Sequence, residues 1–396
     1  MTTYFLSAGD ASGELHAAEL VSELRRLDSA ARFLGLGGSA MEKAGVELVV
    51  HQREIAVGGL VEVLRDVGRV VGAWRRLHRA LREARPDLLV LVDAPDFNLP
   101  FARRARRTGV PVLYYISPQV WAWRGGRIAK IARRVDRMAV IFPFEREVYA
   151  GTRLPVDFVG HPLVDRLAAL MARADRTTLR RALDLDPERR LVALLPGSRR
   201  NEVRDTLPLQ LEVARAVHAR DPGVDFCVAV APSIPRETVE AGVAAARLPS
   251  LLPLEVREGR TWEVLLAADV ALAKPGTVTV EGALLGTPMV VAARANPVTA
   301  WIARRVVRVP SFTMPNLIAA REVVPEFLQE DARPARVAEA ILELLEGPVR
   351  ERQLGELAAV RASLGAGGAA RRAAAIAAGM AASAGRGGGT RGTGGA

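Results

Sequence analysis

Residues 267–290, AADVALAKPGTVTVEGALLGTPMV, constrain the fold more than any other stretch. A short apolar run, Val270 to Ala273, ends at Lys274-Pro275-Gly276-Thr277. An apolar segment carrying Glu281 follows and closes at Gly286-Thr287-Pro288, before a new run at Met289-Val290-Val291. That order predicts strand, glycine turn, helix and strand, one βαβ unit. Gly276 lets the main chain approach a ligand closely, and the first free N–H groups of the helix, near Thr277 and Val278, suit an anion such as a diphosphate. Two readings of Glu281 stay open: a carboxylate accepting both hydroxyls of a ribose, or one side chain on a solvated helix face.

The same grammar recurs along the chain. Apolar runs at Tyr4-Phe5-Leu6, Arg32 to Leu36, Leu88 to Val92, Val112 to Ile116 and Met138 to Phe142 alternate with helical patterns and predict a parallel, doubly wound sheet. Runs at Leu191 to Leu195, Asp225 to Val230 and Leu251 to Val256 join the first-described unit in a second sheet. With 396 residues the chain is long enough for two cores. The expected division is 1–165, 186–345, a closing helix over 346–364, and a Gly- and Ala-rich low-complexity tail over 365–396 that is expected to lack order at its end.

Composition excludes several classes. The single cysteine, Cys227, forbids an internal disulfide and a cysteine metal cluster. The start, MTTYFLSA, reads as a first strand and not as a signal peptide, and no run approaches the roughly 18 apolar residues that span a bilayer. The five histidines have no metal spacing, and the only D-x-D, Asp184-Leu185-Asp186, sits before a strand, where it reads as capping. No cofactor or metal is implied. Of 55 basic residues only Lys43, Lys130 and Lys274 are lysines, a skew typical of G+C-rich coding sequence. The net charge of +11 still favours anionic partners such as phosphates or acidic lipid.

Four further segments carry chemistry. Gly9-Asp10-Ala11-Ser12-Gly13-Glu14 is a glycine loop after the first run, without the dinucleotide spacing; Gly9, Ser12 and Gly13 are candidates for close approach to a ligand. In Asp93-Ala94-Pro95-Asp96-Phe97-Asn98, two carboxylates follow a buried strand; Asp93 is the candidate general base and Asp96 its support, with an Asx-type turn the bland alternative for Asp96. Pro196-Gly197-Ser198-Arg199 is another strand-to-helix turn, where Arg199 can grip a diphosphate bidentately. Asn316 and Gln329, if buried, can hold a base, sugar or phosphate, with a purely structural role the commoner alternative for a lone amide. Leu60, Leu64, Val67, Val71, Trp74, Leu77 and Leu81 form a helical stripe, with arginines elsewhere on the surface. That helix either packs on the sheet or rests on an anionic membrane. The aromatic and basic segment Tyr114 to Arg134 starts a helix after a strand, which argues against nucleic acid.

Two anion-directed loops on one sheet fit a sugar-nucleotide glycosyltransferase better than a dehydrogenase. The segments AGDASGE, GLVEVL (Gly59 to Leu64), DAPDFN, ISPQVWAWR, FPFE (Phe142 to Glu145), GHPLVD, LLPGSR, GTVTVEGALLGTPMVV and MPNLIAAREVVPEFLQE closely resemble lipid-A-disaccharide synthases. The resemblance implies a GT-B fold, two Rossmann-like α/β domains facing a central cleft. It implies inverting transfer of 2,3-diacylglucosamine from UDP-2,3-diacylglucosamine to 2,3-diacylglucosamine 1-phosphate (lipid X) in a β-1,6 link. It further implies a cytoplasmic protein, peripheral on the inner face of the inner membrane, with no nucleic-acid partner; monomer and homodimer both stay open. By the motifs, Asp93, Arg199 and Asn316 are implied to be functional, with Gly197, Ser198, Gly276, Thr277, Glu281 and Gln329 around the UDP-sugar. The chain departs from the family's pattern at Pro275, where serine often stands and would offer phosphate a hydroxyl. A UDP-N-acetylglucosamine transferase or epimerase with another acceptor, and a non-catalytic binding protein, are the alternatives.

Overall fold

The computed structural model describes residues 1–55, 60–123, 125–294 and 309–387. Gly59 of the GLVEVL motif, Arg124, Asn296, Pro297, Trp301, Arg304 and Arg305 lie outside the described residues, as do the side chains of 60–67 and 122–123. The chain divides into two compact units, residues 1–162 with 366–396, and residues 163–365.

Seven parallel strands form the sheet of the first unit: β1 Thr3–Ala8, β2 Arg32–Gly37, β3 Glu47–His51, β4 Leu88–Val92, β5 Val112–Tyr115, β6 Arg137–Val140 and β7 Val156–Phe158. Their order across the sheet is β3-β2-β1-β4-β5-β6-β7. Every residue of β4, LLVLV, is buried, as expected for a central strand covered on both faces. The order reverses direction between β1 and β4, so the helices leaving these two strands go to opposite faces and open a crevice at their carboxyl ends. Asp10 starts the first helix, Ala11–Leu27, by accepting from the Gly13 N–H at 2.6 Å.

From the stripe on the helix Leu60–Ala84, Leu77 and Leu81 are buried with Ala73, and Trp74 packs edge-on against Phe97 at 5.0 Å. Val71, expected on the packed face, is 39% exposed. Gly35 in β2 holds φ at +148°, and a Cβ there would fall 1.9 Å from the Leu6 carbonyl oxygen of the paired strand β1.

Residues 388–396, the end of the tail expected to lack order, lie outside the described residues. Residues 369–387 form a helix, Ala369–Gly387, that packs on the helix Ala11–Leu27 and so belongs to the first unit. Alanine is the best helix former, and Ala369, Ala373, Ala377 and Ala381 recur every fourth position as a buried stripe. Arg372 Nε ties the helix to the Val159 carbonyl at 2.8 Å.

The second unit holds six parallel strands: β8 Arg190–Leu195, β9 Val224–Val230, β10 Leu254–Glu258, β11 Val270–Ala273, β12 Met289–Ala293 and β13 Glu326–Leu328. Their order is β10-β9-β8-β11-β12-β13, reversing between β8 and β11. The predicted unit at 267–290 appears as β11, the helix Val278–Leu285 and β12. Residues 166–185, left between the two expected domains and including the helix Arg176–Ala182, belong to this second unit. Arg180 there is 5% exposed and donates to Asp269 Oδ2 at 2.7 Å and to the Ala267 carbonyl at 2.9 Å. Asp184 and Asp186, the D-x-D pair, are engaged locally: Asp184 faces Arg257 at 3.5 Å, and Asp186 accepts from the Glu188 N–H at 2.8 Å.

Two predictions test this packing. Gly35→Ala forces a Cβ against the β1 backbone, so it should cost about 3 kcal/mol or more, read as a fall in the urea midpoint; an unchanged midpoint would contradict the register. Glu145, fully buried, accepts from the Phe142 N–H at 3.1 Å and Trp121 Nε1 at 3.3 Å, and burial pushes its carboxyl up to about 7. The folded state therefore holds a proton that the unfolded chain releases near 4.5, and this contribution to stability is lost as pH rises from there through about 7. Glu145→Gln should flatten the stability profile across that window; the same slope in both proteins would show that Glu145 is not its source.

Candidate active site

Each sheet presents its functional loops where its strand order reverses. In the first unit these are the loop after β1, Gly9 to Glu14, and the turn after β4, Asp93-Ala94. Asp93 and Ala94 both adopt left-handed backbone, φ +45° and +44°, a conformation that costs free energy in non-glycine residues. Surrounding hydrogen bonds hold it. The Asp93 carbonyl accepts from the Tyr114 hydroxyl at 2.6 Å and from Asn98 Nδ2 at 2.7 Å. Asn98, itself fully buried, also donates to the carbonyls of Val92 at 3.0 Å and Ser7 at 3.2 Å and accepts from Ser7 Oγ at 2.6 Å. It thus fastens the end of β1 to the end of β4.

The result is a half-buried Asp93 carboxyl. Burial, and then the negative charge of Asp10, push it up to about 6, against an opposing hydrogen bond from the Ala94 N–H. A carboxyl so poised accepts a proton near neutral pH. Gly9 approaches the turn after β4, where a Cβ on it would lie 2.9 Å from the Ala94 Cβ. Gly13 is buried in the first turn of its helix, and Ser12 is exposed. Asp96 is exposed and pairs with Arg127 Nη1 at 2.8 Å, so the groups that support Asp93 are Asn98 and Tyr114. Glu14 adds an orphan: its Oε2 is buried with no hydrogen-bond partner, pressed where a Gly38 Cβ would be.

In the second unit the reversal lies between β8 and β11, which are paired neighbours. The loops after them are the two glycine turns picked out from sequence. Gly197 has φ +130° and Gly276 φ +150°, both readily reached only by glycine. Ser198, Arg199, Gly276 and Thr277 are exposed, and the Arg199 side chain, 78% accessible, has Glu202 Oε1 at 3.6 Å. Thr279 Oγ1 donates to the Gly276 carbonyl at 2.8 Å, and Ser233 Oγ to the Ser198 carbonyl at 2.6 Å, fixing both turns from behind.

Glu281 is half-buried in the first turn of its helix; burial raises its carboxyl, opposed by a hydrogen bond from Trp262. Gln329 lies directly after β13 with φ +54°, half-buried.

Asn316 has a different place from the one expected of a catalytic amide. It is 2% exposed, its Oδ1 accepts from the Val323 and Val324 N–H groups at 2.8 Å each, and its Nδ2 donates to the Val324 carbonyl at 2.8 Å and Glu326 Oε1 at 2.9 Å. Every hydrogen-bonding capacity of the amide is used internally. Asn316 holds the loop leading into β13.

A clasp that no contiguous stretch of sequence shows joins the two turns. Lys274 Nζ lies 2.9 Å from Glu202 Oε1, and Glu202 Oε2 accepts from the Ser198 N–H at 3.0 Å, so one ion pair joins the two glycine turns. Burial pushes the Glu202 carboxyl up, but hydrogen bonds from Lys274 and the Ser198 N–H outweigh it and hold the group below the usual carboxylate range. Lys274 was visible as the residue opening the second turn, but nothing in the sequence paired it with Glu202.

Comparison with known proteins gives the family and the fold. Residues 4–376 match the family profile described as Lipid-A-disaccharide synthetase. The lipid-A-disaccharide synthase of Geobacter metallireducens is 45% identical over 370 residues, spanning 93% of this chain and 94% of that protein. That of Anaeromyxobacter sp. strain K is 44% identical over 365 residues, 91% and 93% of the two chains. Among solved structures, a glycotransferase of kitacinnamycin superposes with TM-score 0.62 at 20% identity, covering 96% of this chain and 98% of the other. A UDP-GlcNAc 2-epimerase from Neisseria meningitidis bound to UDP-GlcNAc gives 0.63 at 12% identity, covering 95% and 99%. These two likenesses concern the fold, two parallel-sheet Rossmann-like domains of the GT-B kind. On the profile and the identities together, the chain belongs to the lipid-A-disaccharide synthase family.

Proposed function

We propose that this protein is the inverting glycosyltransferase that moves 2,3-diacylglucosamine from UDP-2,3-diacylglucosamine to the 6-hydroxyl of 2,3-diacylglucosamine 1-phosphate, releasing UDP and the β-1,6-linked disaccharide 1-phosphate. The observation that carries the reading is the pair of exposed glycine turns at the β8/β11 reversal, beside Arg199 and Lys274. Such a place in an open α/β sheet is where nucleotide phosphates bind. Asp93 takes the proton of the attacking hydroxyl. The helix N–H groups at Thr277 and Val278, with Arg199, neutralise the charge that develops on the departing diphosphate. Glu281 accepts the ribose hydroxyls in place of Trp262, and Gln329 faces the donor. Asn316 acts as a positioning residue by holding the loop into β13.

We place the protein peripherally on the inner face of the cytoplasmic membrane. Among the described residues no helix is long and apolar enough to cross a membrane. On the helix Leu60–Ala84, Arg75, Arg79 and Arg82 are exposed beside Val71. Each arginine reaching an anionic surface contributes about 1 kcal/mol, which makes attachment reversible and salt-dependent.

Asp93→Ala should lower kcat by roughly 10²–10⁴ while leaving UDP affinity unchanged, measured by product mass and by calorimetry; full turnover in that variant would remove Asp93 from the reaction. In the wild-type enzyme, kcat/KM should fall tenfold per pH unit below about 6, where the Asp93 carboxyl gains a proton, and level off above it. A flat profile from pH 5 to 8 would contradict a carboxylate base. UDP at about 100 times its dissociation constant should stabilise the fold by about 2.7 kcal/mol; an unmoved melting temperature would count against any UDP-sugar reading. Turnover of UDP-N-acetylglucosamine without acyl chains would favour the epimerase or transferase alternative.

A further inference from the structure

The clasp between the two glycine turns has the form of an anion seat already filled. Glu202 Oε2 accepts the Ser198 backbone N–H at 3.0 Å, and Oε1 meets Lys274 Nζ at 2.9 Å, with Arg199 Nη1 3.6 Å away. A backbone N–H, an ammonium and a guanidinium converging on one carboxylate are the donors that a phosphate group takes. Both side chains are well covered, Lys274 at 21% and Glu202 at 17% exposure, while Arg199 remains open.

The glycines on either side leave the room. A Cβ on Gly197 would come within 2.7 Å of Glu202 Cβ and 3.1 Å of Lys274 Cδ, and one on Gly276 within 3.7 Å of Lys274 Nζ. The ammonium therefore lies between the two turns. Pro275, next along, supplies neither a hydroxyl nor an N–H, so the second turn lacks a donor at that position. Lys274 is also one of three lysines among 55 basic residues, in a chain where arginine fills almost every other basic position. A compact ammonium fits between two close backbones where a planar guanidinium does not.

We propose that Lys274 is a diphosphate-binding residue of the donor site and that Glu202 occupies its ammonium, and the Ser198 N–H, until the donor's diphosphate displaces it. The inference rests on reading the second unit as the donor half. Lys274 then makes up for Pro275, and Glu202 offsets the repulsion between Lys274 and Arg199 in the empty enzyme. Its carboxylate is a competitor for the same donors, so its charge weakens nucleotide binding.

Calorimetric UDP titration of the full chain separates the outcomes. Lys274→Met should weaken UDP about ten- to a hundredfold, the loss of one charge-assisted contact. Glu202→Gln, which keeps the shape and removes the charge, should tighten UDP several-fold, and its kcat should change less than its KM. If Lys274→Met does not fold, Lys274→Met with Glu202→Gln leaves no unpaired buried charge and should bind at least tenfold more weakly than Glu202→Gln alone. UDP affinity unchanged within twofold in Lys274→Met, or weakened in Glu202→Gln, overturns the inference while leaving the donor half in place. A wild-type chain that does not bind UDP at all overturns the functional reading on which it stands.

Discussion

The reversal of strand order in each parallel sheet is the constraint on which the rest depends. A right-handed crossover sends the helix after β1 to one face and the helix after β4 to the other, and the same holds for β8 and β11. Backbone at those strand ends cannot be covered by its own helices, so it stays accessible while its flanks remain rigid. Both groups of candidate residues lie there. Asp93 follows β4, and the glycine turns follow β8 and β11, so the candidate groups stand on loops only a few residues long, anchored in strands buried but for Arg190 at the start of β8.

The two reversals are used in opposite electrostatic senses. The first gathers carboxyls: burial and the neighbouring Asp10 leave Asp93 poised near 6, and Asn98 and Tyr114 hold the left-handed backbone that presents it. Its charge state, not the strength of any ion pair, is what the site controls. The second gathers cations and backbone N–H groups around one carboxylate, Glu202, which pairs with Lys274 and accepts from the Ser198 N–H. In the proposed reaction, proton removal and leaving-group neutralisation fall to units with separate cores, so each environment can be tuned without disturbing the other.

Much of this was legible in the chain, because glycine turns after short apolar runs are local signals. The unit at 267–290, the turn at Gly197 and the acid after Leu88–Val92 could all be read from contiguous residues. What could not be read was non-local or marginal. Strands β3 and β13 are edge strands, β13 only three half-buried residues, and their pattern is too short to stand out. The alanine-rich segment 369–387 reads as low complexity until a partner helix is present to bury its stripe. The motif resemblance implies a functional Asn316, but no contiguous stretch shows the four hydrogen bonds that hold its amide inside the protein. The Lys274–Glu202 pair spans 72 positions, and only the pairing of β8 with β11 brings it together.

Hydrogen exchange with and without UDP decides the proposed placement of the nucleotide, because the proposed contacts are largely backbone N–H groups. Slowed exchange is expected at Ser198 to Val203 and at Thr277 to Glu281, with the loop from Gly9 to Glu14 unchanged. Protection confined to that first loop, with the two glycine turns of the second unit unaffected, would place the nucleotide on the other unit and contradict the assignment of roles.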